Sequence, residues 1–323
     1  MKIVPCRIAS RPSRFALLAS VALTLGLAGC GSSTSGSSLA ASGSSTATVD
    51  AVGAENEYAN VIEQVGGKYV KVTAIESNPN TDPHTFEASP SVARAVSAAA
   101  LLVENGVGYD TFMEKIEAAS PSSSRKVIDV QKLLGLPDST RNPHLWYKPS
   151  TMPAVARALV ADLSALQPAH ATYFRENARR FDESLRPWYA AIAKFKAAHA
   201  GAPVATSEPV GDYMLEAVGA KNMTPFTLQA SIMNGTDPAP QNVTLQNSLF
   251  SSHKVKVFVY NQQVTDTLTN SFRELALERG IPVVGVYETM PAPGYDYQSW
   301  MLTEVEALEK ALTKGVSTQK LIR

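Results

Sequence analysis

Residues 169–198 contain no glycine and a single proline, Pro187, and this stretch constrains the fold more than any other. A helix of about 28 residues is roughly 40 Å long at 1.5 Å per residue, long enough to span two lobes. Strand and helix signals alternate on both sides of it. Before it, a helix over 58–65 stops at Gly66-Gly67, a strand covers 69–75, and an alanine-rich helix near 92–100 leads into a buried strand at 101–104. A helix over 110–119, a strand over 126–130 and a helix over 149–166 complete that half. After Gly201 come a strand over 203–207, a helix over 212–218, a mostly looped segment over 224–243 and a helix over 245–251. A strand over 255–260, a helix over 267–279, a strand over 281–287 and a helix over 297–312 follow. The expected fold class is α/β, with an N-terminal lobe at 49–166, a single long linking helix at 167–200 and a C-terminal lobe at 201–323. No internal repeat is visible apart from one echoed phrase.

That phrase is Asp82-Pro83-His84-Thr85-Phe86, which returns as Asn142-Pro143-His144-Leu145-Trp146. Proline locks its own φ and restricts the residue before it, so each histidine enters at a fixed angle. Each phrase alone fits an Asx-Pro turn carrying a surface histidine; two of only five histidines sharing one grammar points to a joint task. Histidine is the commonest metal ligand, and a ligating imidazole needs its second nitrogen held and its ring shielded. Asp82 and Asn142 stand where they can hold the ring, and Trp146 where it can wall it off. Both phrases follow strands, and open α/β sheets gather ligands at strand carboxyl ends.

Two histidines do not make a site, so the second half must supply partners. Glu208 follows a strand and precedes a proline, and Glu288 ends the last strand; the bland reading for each is a solvated acid. Tyr260, Asn261 and Trp300 are candidates to line the same cleft. His170, His199 and His253 read as surface residues.

The amino terminus is a separate matter. Lys2, Arg7, Arg11 and Arg14 precede an apolar run at 15–27, shorter than a membrane span, that ends in Leu27-Ala28-Gly29-Cys30. This resembles a bacterial lipoprotein signal, with residues 1–29 removed, Cys30 acylated and the general secretory route used, since no Arg-Arg pair is present. Cleavage takes Cys6 away, so no disulfide pair remains and thiolate metal sites are excluded. It also removes four basic residues and no acidic one, which moves the formal charge from +0 to about −4 and argues against nucleic acid or an anionic surface. The rest of residues 30–48 is almost wholly Ser, Gly, Thr and Ala, a composition that forms a tether rather than a core.

Taken together, Asp82-Pro83-His84-Thr85-Phe86-Glu87, Val103-Glu104-Asn105-Gly106, Asn142-Pro143-His144-Leu145-Trp146, Val259-Tyr260-Asn261 and Ile281-Pro282-Val283-Val284 resemble the metal-binding cluster of zinc- and manganese-uptake solute-binding lipoproteins of ABC transporters. The resemblance covers roughly residues 49–315. It implies a C-clamp of two lobes on a backbone helix, with one ion between them. It places His84 and His144 as first-lobe ligands and Glu208 where relatives carry histidine or glutamate. Glu288 falls where relatives usually carry aspartate, with Asp296 nearby as the alternative. The His-rich acidic loop of many zinc-specific members is absent. Implied partners are an ABC permease and its ATPase, with the receptor a lipid-anchored monomer in the periplasm or at the cell surface. Two imidazoles and two carboxylates suit Zn²⁺ or Mn²⁺ as the carried ion.

Two other readings compete. A secreted zinc hydrolase would use His84, His144 and Glu208 as ligands and Glu288 as base, but it lacks a His-Glu-x-x-His helix and a nucleophile elbow. A clamp for an iron chelate or corrinoid would not need two Asx-Pro-His phrases.

Overall fold

The computed structural model describes residues 48–291 and 293–321. The expected signal peptide, Cys30 and the tether lie outside the described residues. Two four-stranded parallel sheets carry the architecture. The first holds β1 (Val49–Glu55), β2 (Val70–Glu76), β3 (Leu101–Glu104) and β4 (Lys126–Asp129) in the order β2-β1-β3-β4. The second holds β5 (Pro203–Thr206), β6 (Lys221–Asn222), β7 (Val257–Asn261) and β8 (Val283–Val286) in the order β6-β5-β7-β8. The same topology is thus used twice. In each sheet the strand order reverses between the first and third strands, and the crevice beyond their carboxyl ends is where ligands bind in sheets of this kind.

Helices α1 (Asn56–Gly66), α2 (Pro90–Ala98), α3 (Thr111–Ala119), α4 (Val130–Leu133) and α5 (Thr151–Leu166) belong to the first half. Helices α6 (Ala171–Ser184) and α7 (Arg186–His199) link the halves, and α8 (Asp212–Val218), α9 (Phe226–Met233), α10 (Pro240–Ser251), α11 (Thr267–Glu278) and α12 (Tyr297–Lys314) complete the second. The close fit of α1 to its strand depends on Gly53, where a Cβ would meet the backbone nitrogen of Ala59 at 2.4 Å.

Alternation along each strand sorts side chains between two cores. Ala51, Leu101 and Val103 of the first sheet and Val204, Val257, Val259, Val284 and Val286 of the second face one continuous apolar core. The helices α1, α5, α6, α7 and α12 fill it with Val61, Leu159, Phe174, Phe181, Trp188, Phe195 and Trp300. The opposite faces have cores of their own: Val52, Leu102 and Met113 in the first half, and Phe250, Phe258 and Phe272 in the second.

Two expectations need correction. The linking helix is not single: it breaks at Leu185, between α6 and α7. Pro187 has no N–H for the carbonyl of Glu183 and its ring crowds the preceding turn, which interrupts an otherwise helical run. The segment 224–243 is not mostly loop either. It contains α9 and the start of α10, with Leu228 and Ile232 packed into the second-half core. Tertiary burial there outweighs the turn signal of Asn234-Gly235, which only separates the two helices. Among the described residues no helix is long and apolar enough to cross a membrane.

Candidate metal centre

Four segments converge between the sheets. Asp82 opens the first: its Oδ1 accepts the backbone N–H of His84 at 2.8 Å and so caps a single 3₁₀ turn, Pro83–Thr85. The Asp82 carboxylate therefore orients the loop and not the ring. Asn142 does both, because its Oδ1 accepts from the His144 backbone N–H at 3.0 Å and lies 2.7 Å from the ring Nδ1. Its Nδ2 donates to the carbonyl of Pro209 at 2.8 Å, tying this loop to the segment that carries Glu208. Trp146 meets the His144 ring edge-on at 5.4 Å and is fully buried.

Glu288 lies two residues past β8 and is fully buried. Its Oε2 is 3.1 Å from His84 Nε2 and 3.2 Å from His144 Nε2. The three groups offer ligand atoms that all lie within 4.8 Å of one another, and among the described residues they form the one such group. Burial opposes ionisation of Glu288, but the His144 and His84 imidazoles, which donate to it when protonated, hold its carboxyl far below the usual range. Burial drags the His144 imidazole down, past the pull of Glu288. For His84, burial is outweighed by the hydrogen bond and charge of Glu288, with Asp82 behind, and its pKa rises.

The tautomer of His144 follows from these contacts. A backbone N–H already donates to Asn142 Oδ1, so this atom is the amide oxygen, and His144 Nδ1 must carry the proton. In the neutral ring Nε2 then presents a lone pair to a carboxylate oxygen 3.2 Å away. Two lone pairs at that separation need a proton or a cation between them. Ligand atoms about 2.0–2.1 Å from a tetrahedrally coordinated ion stand roughly 3.3–3.4 Å apart, so the two observed separations need open by only a few tenths of an ångström to admit one.

Glu208 is brought near this group without joining it. It is 2% exposed, neither of its oxygens has a hydrogen-bond partner, and it is not among the groups that converge within 4.8 Å. Burial raises its pKa well above the carboxylate range, the charge of Glu288 adds to this, and the Asn261 amide opposes it. Asp296 lies elsewhere: it caps α12, accepting from Ser299 N at 2.9 Å in a reciprocal capping box. Tyr260 does not line the site, because strand alternation turns it away from Asn261 into the second-half core, where its hydroxyl meets Asn270. Trp300 donates to Glu304 in the shared core. His170 stacks on Tyr69, His199 lies against Phe195, and His253 bonds the Arg279 carbonyl.

Asn261 donates from Nδ2 to Glu288 Oε1 at 2.6 Å, with its own oxygen fixed by the N–H of Gln263 at 3.0 Å. Two further residues were not anticipated from the sequence. Tyr109 donates to Glu288 Oε2 at 3.0 Å, and Gln263 accepts from the backbone N–H groups of Glu288 and Thr289 while donating to the carbonyl of Thr81. The signal for Tyr109 was its place just after the Asn105-Gly106 turn at the end of β3. Gln263 had none.

Only His84 among the converging groups is appreciably exposed, its side chain retaining 22% of its surface. The loop 77–88 is therefore expected to exchange amide hydrogens faster than 144–147 in metal-free protein. Mass-spectrometric exchange would check this, and equal protection of the two segments would contradict it.

Known proteins share this arrangement of chain. The pattern of the family described as zinc-uptake complex component A, periplasmic, matches residues 52–311. The manganese-binding lipoprotein MntA of Bacillus subtilis is 29% identical over 169 residues, which is 50% of this chain and 53% of that protein, so the match spans about half of the relative's length. A putative metal-binding protein of Thermotoga maritima is 23% identical over 229 residues, 69% of this chain and 79% of the relative. Among solved structures, the periplasmic zinc-binding protein TroA from Treponema pallidum aligns with a TM-score of 0.69 at 15% identity, covering 83% of this chain and 99% of that one. The SBP FpvC from Pseudomonas aeruginosa in complex with Mn²⁺ aligns with a TM-score of 0.67 at 20% identity, again covering 83% and 99%. At such identities the structural likeness speaks for the fold, two parallel-sheet α/β lobes; the sequence match over 52–311 speaks for descent. The chain belongs to the zinc-uptake complex component A family of metal-binding solute-binding proteins.

Proposed function

We propose that this chain is the extracytoplasmic solute-binding component of an ABC importer, capturing one divalent transition metal, Zn²⁺ or Mn²⁺, between its lobes. The supporting observation is the pair of imidazole nitrogens 3.1 and 3.2 Å from one carboxylate oxygen, with the His144 tautomer leaving a lone pair aimed at that oxygen. A cation relieves the repulsion and takes three ligands at once: His84, His144 and Glu288. Glu208 is the fourth. A buried acid with two unpartnered oxygens beside the anionic Glu288 stays protonated until a dication arrives, and then its ionised form is favoured.

Carriage rather than catalysis fits the donor set. A zinc hydrolase needs a free base beside an open coordination position. Glu288, the residue that would serve, has both oxygens engaged by Asn261, Tyr109 and the imidazoles. The family is one of transport receptors, which implies a membrane permease and an ATPase as partners. In our reading the mature protein is a monomer held to the membrane through lipid on Cys30, in the periplasm or at the cell surface.

Calorimetric titration of metal-stripped protein is expected to show one equivalent of tightly bound Zn²⁺ or Mn²⁺, and absence of tight binding by both ions would reject the reading. His84→Ala and Glu208→Ala, one from each lobe, should each weaken binding at least about tenfold. Unchanged affinity in either removes that residue from the site.

A further inference from the structure

Glu288 is held in a way that bears on which ion fits. Its Oε1 takes the short bond from Asn261 Nδ2, 2.6 Å, and its Oε2 takes the bond from Tyr109, 3.0 Å. Only Oε2 faces both imidazoles. A carboxylate that chelates an ion must bring both oxygens to a similar distance from it. Here Oε1 is drawn to the second lobe by Asn261, and turning it toward the imidazoles would break one bond or the other.

Tyr109 is itself rigidly presented. It follows three residues at positive φ, Gly106 (76°), Val107 (56°) and Gly108 (71°), a strained run in which valine is an uncommon occupant. Asp110 pins that run by accepting from the backbone N–H groups of Asn105 and Gly106 at 2.5 and 3.0 Å, and Gln131 accepts from the N–H of Val107 at 2.6 Å. The Tyr109 ring stands edge-on to His84, His144 and Trp146, with centroids 5.3, 5.8 and 5.2 Å away. Its hydroxyl, a neutral phenol, is the donor to Oε2.

We propose that Tyr109 is a specificity-determining positioning residue: by holding Oε2 while Asn261 holds Oε1, it limits Glu288 to one metal bond and favours four-coordinate Zn²⁺ over Mn²⁺. Zinc is satisfied by four ligands in a tetrahedron, whereas manganese favours a larger set of oxygen ligands, which a chelating carboxylate helps to supply. Loss of the hydroxyl removes one of the two bonds that resist turning of the carboxylate, so Oε1 can reach the ion at the cost of the Asn261 bond alone. This inference rests on the reading that His84, His144 and Glu288 hold the ion.

The test is competition between Zn²⁺ and Mn²⁺ at equal free concentrations, in the wild-type protein and in Tyr109→Phe. The wild type is expected to load zinc, and the variant's zinc-to-manganese preference is expected to fall at least about tenfold, in line with loss of a supporting hydrogen-bond partner. Equal weakening of both ions, or a ratio unchanged within about twofold, overturns the proposal and leaves the transport reading intact. A wild type that binds neither ion overturns the transport reading itself. Zinc K-edge absorption on the loaded wild type provides a measurement independent of the variant's folding. Four ligands with one oxygen from each carboxylate are expected, and a chelating carboxylate would overturn the proposal.

Discussion

Replacing Glu288 with glutamine is expected to weaken Zn²⁺ binding by at least about a thousandfold, more than the 10–100-fold that loss of a supporting partner costs at metal sites. The substitution keeps the shape of the side chain and removes its charge. It leaves two imidazoles with no anion between them and turns one terminal atom of residue 288 into a donor. Tyr109 and Asn261 both donate to that terminus, so at least one of them would face another N–H group. The His84 imidazole would also lose the main influence that raises its pKa. Isothermal titration of metal-stripped Glu288→Gln gives the affinity, and a loss smaller than tenfold would show that the ion sits elsewhere. A melting curve separates this from misfolding.

The second large effect is a loss of stability at alkaline pH. Burial raises the carboxyl groups of Glu76 and Glu104 to about 9, with the charge of Asp110 the next cause in both. Burial also raises Glu304 to about 8 against the pull of the Tyr147 and Trp300 donors. In the unfolded chain such groups ionise near 4.3. A folded-state pKa above the unfolded one means that the folded form binds the extra protons. The stability they contribute is complete below about pH 4.3 and is lost as pH rises through 8 to 9. Glu288 has the opposite sign: its depressed pKa contributes stability above the unfolded value that is lost only in strong acid. His84, raised, works in the same direction as the buried acids. The melting temperature of metal-free protein should fall by at least about 10 °C between pH 5.5 and 9. Glu104→Gln should flatten the curve, since it removes one titrating group while keeping the side chain's shape. A melting temperature that holds level or climbs over that interval would refute the assignment.

The cause of that sensitivity is visible in the register. Glu55 and Glu76 are directly paired on β1 and β2, both are buried, and Glu55 ends its strand without capping α1, its two oxygens unpartnered. Like charges in such a pair repel, so the pair is held by protons.

The larger elements were legible because they depend on periodicity. The strands ending at Glu104 and Asn261 are nearly continuous apolar runs, as parallel strands covered on both faces must be. The two Asx-Pro-His phrases were legible because proline makes local geometry independent of the rest of the chain. Asn142 illustrates this: its contact with His144 spans two residues. Contacts that span long separations are not legible in this way. Tyr109 meets Glu288 across 179 residues and Gln263 meets Thr81 across 182, and neither distance leaves any local pattern. Tyr260 stands one step of alternation from Asn261, and that step decides that it faces the core and not the cleft. Asp296 stood as the alternative to Glu288 only by its nearness in the chain, and its capping box with Ser299 starts α12 instead.

The apolar core shared by the inner faces of both sheets limits how an ion held between them could leave. Prying the halves apart would wet that core at about 25 cal/mol for each Å² exposed, several kcal/mol for a gap of a few hundred Å². Lifting the ribbon that bears His84 leaves that shared core closed and begins by breaking the Thr81–Gln263 tie. On the proposed transport reading, release of the ion would then resemble unlatching a clasp more than opening a book.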